Sequence, residues 1–556
     1  MSITAALLSL AFWKMVEHTL GTSSWGLYEN NINQTAASAG ASIVSAGLVA
    51  PIPALAILTG NQLPWRILAL WTFCVSLLGV VVAVGLRRQM LITEKLPFPT
   101  GVATAEVMKD IYAHGQEAFA RLKILATGAV LSGVVKGFDG FLVKIPKIGL
   151  PGSLQVFTKG LLNEGSFHKV PLKKLGFALD PSLLMLGFGA IIGPRIGISL
   201  LLGAIFAWGL LGPLVLEQAW IVPKDLDSED FLFGLMVEWL LWPGATMMLT
   251  ASLTTLAITA VNLYKRIGKR RSNTSKEGAV EEFPSRFFGI GLIISISFAV
   301  VAQVSIFNIS LFMALTAVVL TLLLGIVAAR VSGETGIPPI GALGKITQMT
   351  FGVISPADAT TNLISANVTG GAAGQCSDLL HDFKAGLLIN ASWKLQSIAQ
   401  TFGVLTGSLV GSAIYLILIP DPQSMLLTSE WPAPAVATWK AVAEVFQKGW
   451  TALPQATPSA MGIAGVFGLV MSILEKQLPE RWTAYMPSAA SFGLAFIIPA
   501  WISISMCFGG LASWVTARLI PEWHQRFMIV LAAGLVAGES LMGVAQALIQ
   551  IIFMGT

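Results

Sequence analysis

Long apolar runs, interrupted by glycine, proline and amide-bearing residues, set the pattern of this 556-residue chain. Leu240 to Tyr264 carries no charge, and neither does Phe287 to Ala329. A helix crosses the hydrocarbon core with about 20 residues, so the second run holds two helices and a turn. Strands of a membrane barrel would alternate over about 10 residues; these runs are longer and do not alternate. The pattern predicts helices over 3–16, 35–58, 65–86, 100–112, 119–137, 175–193, 197–221, 231–263, 287–305, 308–331, 338–354, 359–377, 386–418, 434–447, 459–474, 486–500, 502–519 and 527–553. Segments 100–112 and 434–447 are too short to cross. They read as half-helices or re-entrant pieces, which membranes tolerate only where protein or a cavity surrounds them. The expected fold is an all-α, polytopic integral membrane protein with about 14–16 crossings, some of them broken.

Composition removes the other classes. Hydrophobic residues make up 54% and charged residues 11%, with a mean hydropathy of +0.75. Soluble domains carry roughly 25% charged residues, so this chain cannot clothe a water-facing surface of its size. A cytosolic enzyme, a disordered chain and a secreted disulfide scaffold are excluded. The cysteines are Cys74, Cys376 and Cys507, an odd number with no CxxC, which indicates neither disulfides nor zinc. Five scattered histidines form no HxxH or HExxH spacing, so no metal site and no cofactor are expected. No GxxxxGK[ST] or GxSxG occurs, so neither ATP-driven transport nor a hydrolase is encoded. The net charge of +5 reflects loop residues rather than nucleic-acid binding. Lys265, Arg266, Lys269, Arg270 and Arg271 directly follow an apolar helix whose other end is acidic (Asp225, Asp227, Glu229, Asp230). Basic loops stay cytoplasmic; an anionic partner is the other reading. The first run lacks a basic leader and a clear cleavage site, so no cleavable signal peptide is expected.

The hydrophilic linker 265–286 separates two halves, 1–264 and 287–556, that share motifs in the same order. Pro97 to Thr104 resembles Pro432 to Thr438. Pro181-Ser182, with Gly187 and Ile191-Ile192 after it, resembles Pro487-Ser488, with Gly493 and Ile497-Ile498. Asn30 to Gly40 resembles Asn362 to Gly374. An internal duplication explains this better than chance. Two such repeats can rock about a shared site, with broken helices bringing free backbone groups to the bilayer middle. Whether the repeats are parallel or inverted stays open. In this register Met1 pairs near Gly333, which leaves helix 308–331 without a counterpart. Either an N-terminal helix is lacking or the repeats differ at their ends.

Polar groups at membrane depth are costly and usually face a pathway. Tyr28 to Ser42 sets Glu29, Asn30, Asn31, Asn33 and Gln34 beside small residues. The small residues suit close helix packing; the amides point to a functional role. Gly333 to Gly341 (GETGIPPIG) breaks two apolar helices, with a new helix expected from Pro338. Its N-terminus would attract an anion such as a peptide carboxylate, and Glu334 could carry a proton. A plain loop outside the membrane is the alternative. Lys345 and Gln348 follow on one helical face. In Asn362 to Lys384, Asp378 and Asp382 also share a face. They read either as paired acids suited to protonation or, with Lys384, as solvated charges on an interfacial helix; the solvated reading is slightly preferred. Asn367 and Gln375 lie deeper among small residues and are better cavity candidates. Glu539 sits mid-helix, where a cavity-facing or proton-binding role is expected. Glu238 is a further charge in an apolar run, and Asp180 and Arg195 are expected to mark helix ends.

ENNINQTAASAG at 29–40, LPFPTGVATAEVM at 96–108, GETGIPPIG at 333–341, and Asn367 to Lys384 with Gly386 and Gln396 resemble the oligopeptide transporter family. Within it the chain looks like the prokaryotic branch, near the yellow-stripe-like carriers of metal chelates. The resemblance implies a duplicated many-helix bundle and proton-coupled symport of small peptides or metal–chelator complexes. It also implies a further helix ahead of the ENNINQ region. The expected function is therefore a secondary active transporter in the cell membrane, the inner membrane if the source is bacterial. Protons are expected at Glu539, Glu334 or Asp378. The substrate is expected at Glu29, Asn30, Asn33, Gln34, Asn367 and Gln375, whose side chains suit peptide bonds or the polar groups of a chelate. A channel is the alternative. An intramembrane enzyme is a third reading, without a convincing catalytic cluster. The lipid bilayer is the surrounding partner, and assembly into a homo-oligomer is left open.

Overall fold

The computed structural model describes residues 2–21, 25–113, 115–141, 145–158, 166–221, 232–270, 285–336, 338–449, 453–483 and 486–554. The helices named below are α1 (Ser2–Leu20), α2 (Leu27–Ser42), α3 (Trp65–Arg87), α4 (Pro99–Ala113), α5 (Leu183–Ile192), α6 (Leu311–Thr335), α7 (Ile340–Ile354), α8 (Ala359–Ile389), α9 (Trp393–Leu418), α10 (Pro434–Lys448), α11 (Ala500–Leu519) and α12 (Ile529–Met554). Among the described residues, ten helical segments are long and apolar enough to cross a membrane. That is fewer than the sequence reading expects, because some helices are too short or too polar to qualify. Helix α8 has 31 residues and reaches about 46 Å at ~1.5 Å per residue. It has the length to cross without the greasiness.

The half-helices appear where proline and glycine place them. Pro99 and Pro434 each open a 15-residue helix, and each follows a left-handed residue, Phe98 (φ 45°) and Ala433 (φ 40°). Ser182 and Ser488 each cap a short helix, accepting from Met185 N and Ser491 N. Helix α6 runs through the expected break to Thr335 and closes on Gly336 (φ 78°), and α7 starts at Ile340 rather than Pro338. The Phe98 amide donates to the Gly333 carbonyl at 2.8 Å, tying the two breaks together.

Other boundaries differ from expectation. The run 35–58 is three pieces: α2, a 3-10 turn Ile43–Ala46, and a helix Pro51–Thr59. The run 359–377 continues to Ile389, where Asn390 (φ 60°) ends α8. Runs 175–193 and 486–500 shrink to Leu183–Ile192 and Ala489–Leu494. Two antiparallel strand pairs depart from the all-helical expectation, Ser153–Thr158 with Ser166–Pro171 and Ile148–Gly149 with Ala178–Leu179. Of the linker, 265–270 completes the helix Phe233–Arg270 and 271–284 lies outside the described residues.

The chain forms two compact units, each drawing on both halves of the sequence. One comprises 1–119, 256–416 and 442–447; the other comprises 120–255, 417–441 and 448–556. In the first, α8 is surrounded by α2, α3, α4, α6 and α7. Its Gly370 to Gly374 stretch lets neighbours approach closely. A methyl group on Gly371 would meet Val75 at 2.5 Å and Ala46 at 2.9 Å. In the second unit, α5 packs against α11 and α12, with Gly189 lying against the Met506 carbonyl.

Candidate functional site

The site lies inside the first unit, on one stripe of α8. Asn367, Gly371, Gln375, Asp378 and Asp382 follow at helical spacing and so share a face. Trp71 Nε1 of α3 donates to Asn367 Oδ1 at 2.7 Å. Ser42 Oγ of α2 donates to Asp378 Oδ2 at 2.6 Å, and Gln34 Nε2 donates to Asp382 Oδ1 at 2.8 Å. Ser38 adds a hydrogen bond to Asp382. Gln34, Ser38 and Ser42 form a row on α2 that meets the α8 acids in reverse order. The two helices are therefore antiparallel, with neutral donors facing acids. Asn367, Gln375 and Gln34 are fully buried, and Asp382 is 1% exposed.

Gln375 is the centre of the stripe. Here α8 passes so close to α3 that a methyl on Gly79 would meet the Ala372 carbonyl at 2.5 Å and Gln375 Cβ at 2.8 Å. Among the described residues neither end of its amide finds a hydrogen-bond partner, and Asn367 Nδ2, Ser76 Oγ and Ser377 Oγ are likewise unpartnered. A buried polar group without a partner costs about 1–3 kcal/mol, and native interiors seldom keep several together unless water, an ion or a bound solute meets them.

A second layer fixes the stripe. Gln396 Nε2 of α9 donates to Thr35 Oγ1 at 3.2 Å and to the Asp382 carbonyl at 2.8 Å. Lys345 Nζ donates to Gln348 Oε1 at 3.1 Å. Gln348 and Asn362 then bond each other, Nε2 to Oδ1 at 3.0 Å and Nδ2 to the Gln348 carbonyl at 2.6 Å. The expected shared face of Lys345 and Gln348 thus exists, buried against α8.

Of the sequence candidates, Gln34, Asn367, Gln375 and Asp378 come together here. Glu29 is exposed in the first turn of α2. Asn30 and Asn33 turn to α1, donating to the Ala6 carbonyl at 3.2 Å and to Ser9 Oγ at 2.6 Å. The solvated reading of Asp378, Asp382 and Lys384 fails for Asp382, which α2 covers, and Lys384 Nζ donates to the Leu96 carbonyl at 3.2 Å. The Glu334 side chain lies outside the described residues. Glu539 is in the second unit, where it accepts from Ser182 Oγ and Leu184 N, both at 2.8 Å. It thereby holds the N-terminal turn of α5, a site where a carboxylate is favoured. Glu238 is exposed. Asp180 precedes α5 and accepts from Ser182 N at 3.0 Å; Arg195 pairs with Glu475 at 2.9 Å. Trp71 and Ser42 belong to the site but are not among the candidates that the sequence alone puts forward, and Asp382 enters there only as a paired acid whose solvated reading is preferred. Only the i, i+4 spacing of Asp378 and Asp382 points to the last.

A family model described as OPT oligopeptide transporter protein matches residues 1–550. The chain is 24% identical to a Saccharomyces cerevisiae protein whose assignment as an oligopeptide transporter is itself provisional, over 99% of this chain and 91% of that one. It is 24% identical to the iron-phytosiderophore transporter yellow stripe 1 of Zea mays, over 84% of this chain and 70% of that one. A metal-nicotianamine transporter of Oryza sativa subsp. japonica is 23% identical, over 84% and 71%. With a match along nearly its whole length, and with polar breaks set in apolar helices, the chain belongs to the oligopeptide transporter family.

Proposed function

We propose that this chain is a secondary active carrier that moves small peptides or metal–chelator complexes together with protons. Its family makes it a multi-pass membrane transporter rather than an enzyme. The observation that carries the reading is the unpartnered Gln375 amide, buried between Asn367 and the acids Asp378 and Asp382 on one stripe. Amides suit the peptide bonds of a short peptide or the polar groups of a chelate. The acids suit a cation whose binding neutralises them and permits closure. Gln34 holds Asp382, while Glu29, Asn30 and Asn33 stand at the α1 side as an outer set. Among the other acids, Glu539 is a second proton candidate. Protonation there would loosen its hold on Ser182 and Leu184. Glu334 is a third, at the end of α6. The relatives' names, which mention oligopeptides, iron-phytosiderophore and metal-nicotianamine, support the substrate class. We place the protein in the cell membrane with linker 265–286 cytoplasmic, and read 1–264 and 287–556 as its repeats.

Purified protein in proteoliposomes tests this. Uptake should saturate with substrate and rise when the outside is made acidic. A competition panel of di- to pentapeptides and metal–chelator complexes identifies the class. Non-saturating ion current would instead establish a channel.

A further inference from the structure

Helix α9 carries a second polar row, of which the substrate site uses only Gln396 at one end. Gln396, Gln400, Ser408 and Ser412 recur at multiples of four residues and are at most 1% exposed. They follow one i, i+4 ridge, which winds slowly around the helix over about 24 Å at ~1.5 Å per residue. Among the described residues Gln396 Oε1, both ends of the Gln400 amide, Ser408 Oγ and Ser412 Oγ find no hydrogen-bond partner. The adjoining ridge explains why the row is enclosed. Gly403, Gly407 and Gly411 lie against Ala36, Gly40 and Ile43 of α2. One end of the row is the Gln396 amide, bonded to Thr35 and to the Asp382 carbonyl. At the other end Tyr415 meets Gln62, beside exposed Gly60 and Asn61. Trp65 Nε1 donates to the Leu409 carbonyl there, at 2.9 Å. Tryptophan favours the membrane–water boundary, so this end adjoins bulk water.

We infer that the polar row of α9 is a water-lined path from a mouth at Gly60, Asn61 and Gln62, along which protons reach Asp382. Several unmet polar groups in a membrane interior are stable only where water or a solute reaches them. Val404, fully buried, interrupts the row between Gln400 and Ser408, as a carrier that must not leak requires. The charges around Asp382 are engaged elsewhere or face outward. Asp378 holds Ser42, His381 Nε2 meets Ser332, and Lys384 donates to the Leu96 carbonyl. Lys345 holds Gln348, Arg330 pairs with Glu94, and Arg87 lies over Trp393. Glu29, Glu106 and Lys109 are exposed.

This path rests on the proton-coupled reading, but its wetness can be tested alone. In protein with Cys74, Cys376 and Cys507 replaced by alanine, Ser408→Cys and Ser412→Cys should react with a membrane-impermeant cationic methanethiosulfonate. Phe402→Cys and Val410→Cys, on the exposed side of the same helix, are the controls. The row should react about tenfold faster than the controls, as water access demands; equal rates overturn the path. Labelling Ser412→Cys should then cut uptake driven by a pH gradient about tenfold, since the reagent blocks a water-lined route. Unchanged uptake would overturn the role in proton supply. Should the unlabelled protein ignore a pH gradient altogether, the coupling reading fails while the labelling rates still decide whether the row is wet.

Discussion

At the scale of single residues, Gln375 and Glu539 make opposite demands. Gln375 is an amide buried without partners, so the empty carrier bears its cost. Gln375→Leu should remove a penalty of about 1–3 kcal/mol, leaving the substrate-free protein at least as heat-stable as the parent. Its substrate affinity should fall about tenfold, the usual effect of losing a buried polar contact. Thermal unfolding with and without substrate checks both signs. Glu539 instead has two partners on the first turn of α5. Glu539→Gln keeps an acceptor but loses the charge, which should cost about 0.3–1 kcal/mol and abolish proton-driven uptake. Accumulation equal to the parent would remove Glu539 from the coupling role. The amides were legible from the sequence because a polar side chain among small and apolar ones announces itself. The burial of Asp382 was not, because its partner Gln34 is 348 positions away.

Among the elements, local chemistry was legible and distant packing was not. Pro99 and Pro434 set helix starts within a residue of expectation. The break after Ser42 was hidden because it depends on another helix. Gly47 has φ 134°, and a methyl group there would meet Asn367 Oδ1 at 2.7 Å. The strand pair at Ser153–Thr158 was hidden because a short alternation is a weak signal beside long apolar runs. Close packing also supplies a test. A methyl group on Gly403 would collide with the Ala36 carbonyl, whereas one on Gly462 meets nothing within 4 Å. Gly403→Ala should destabilise by about 1–3 kcal/mol through overpacking. Gly462→Ala should be neutral or stabilising by up to ~1 kcal/mol, since alanine is the better helix former. Unfolding midpoints in detergent compare the two.

For the whole molecule, the basic cluster at 265–271 predicts sidedness. A single cysteine at Ser275→Cys in the cysteine-free protein should react with an impermeant maleimide only from the cytoplasmic side; labelling from the outside of intact cells would reverse the topology. Membership of the membrane class was evident from composition, yet the division into compact units was not, because each unit interleaves segments from both halves. That interleaving matters for α8. A helix with two acids, a histidine and several amides would not leave the translocation machinery for lipid unaided. It needs α2 and α3, made hundreds of residues earlier, to receive it. A C-terminal fragment synthesised alone would keep α6 and α7 against α8 but should leave its acid-bearing face without α2 and α3, so that face should insert only when the early half of the chain is supplied.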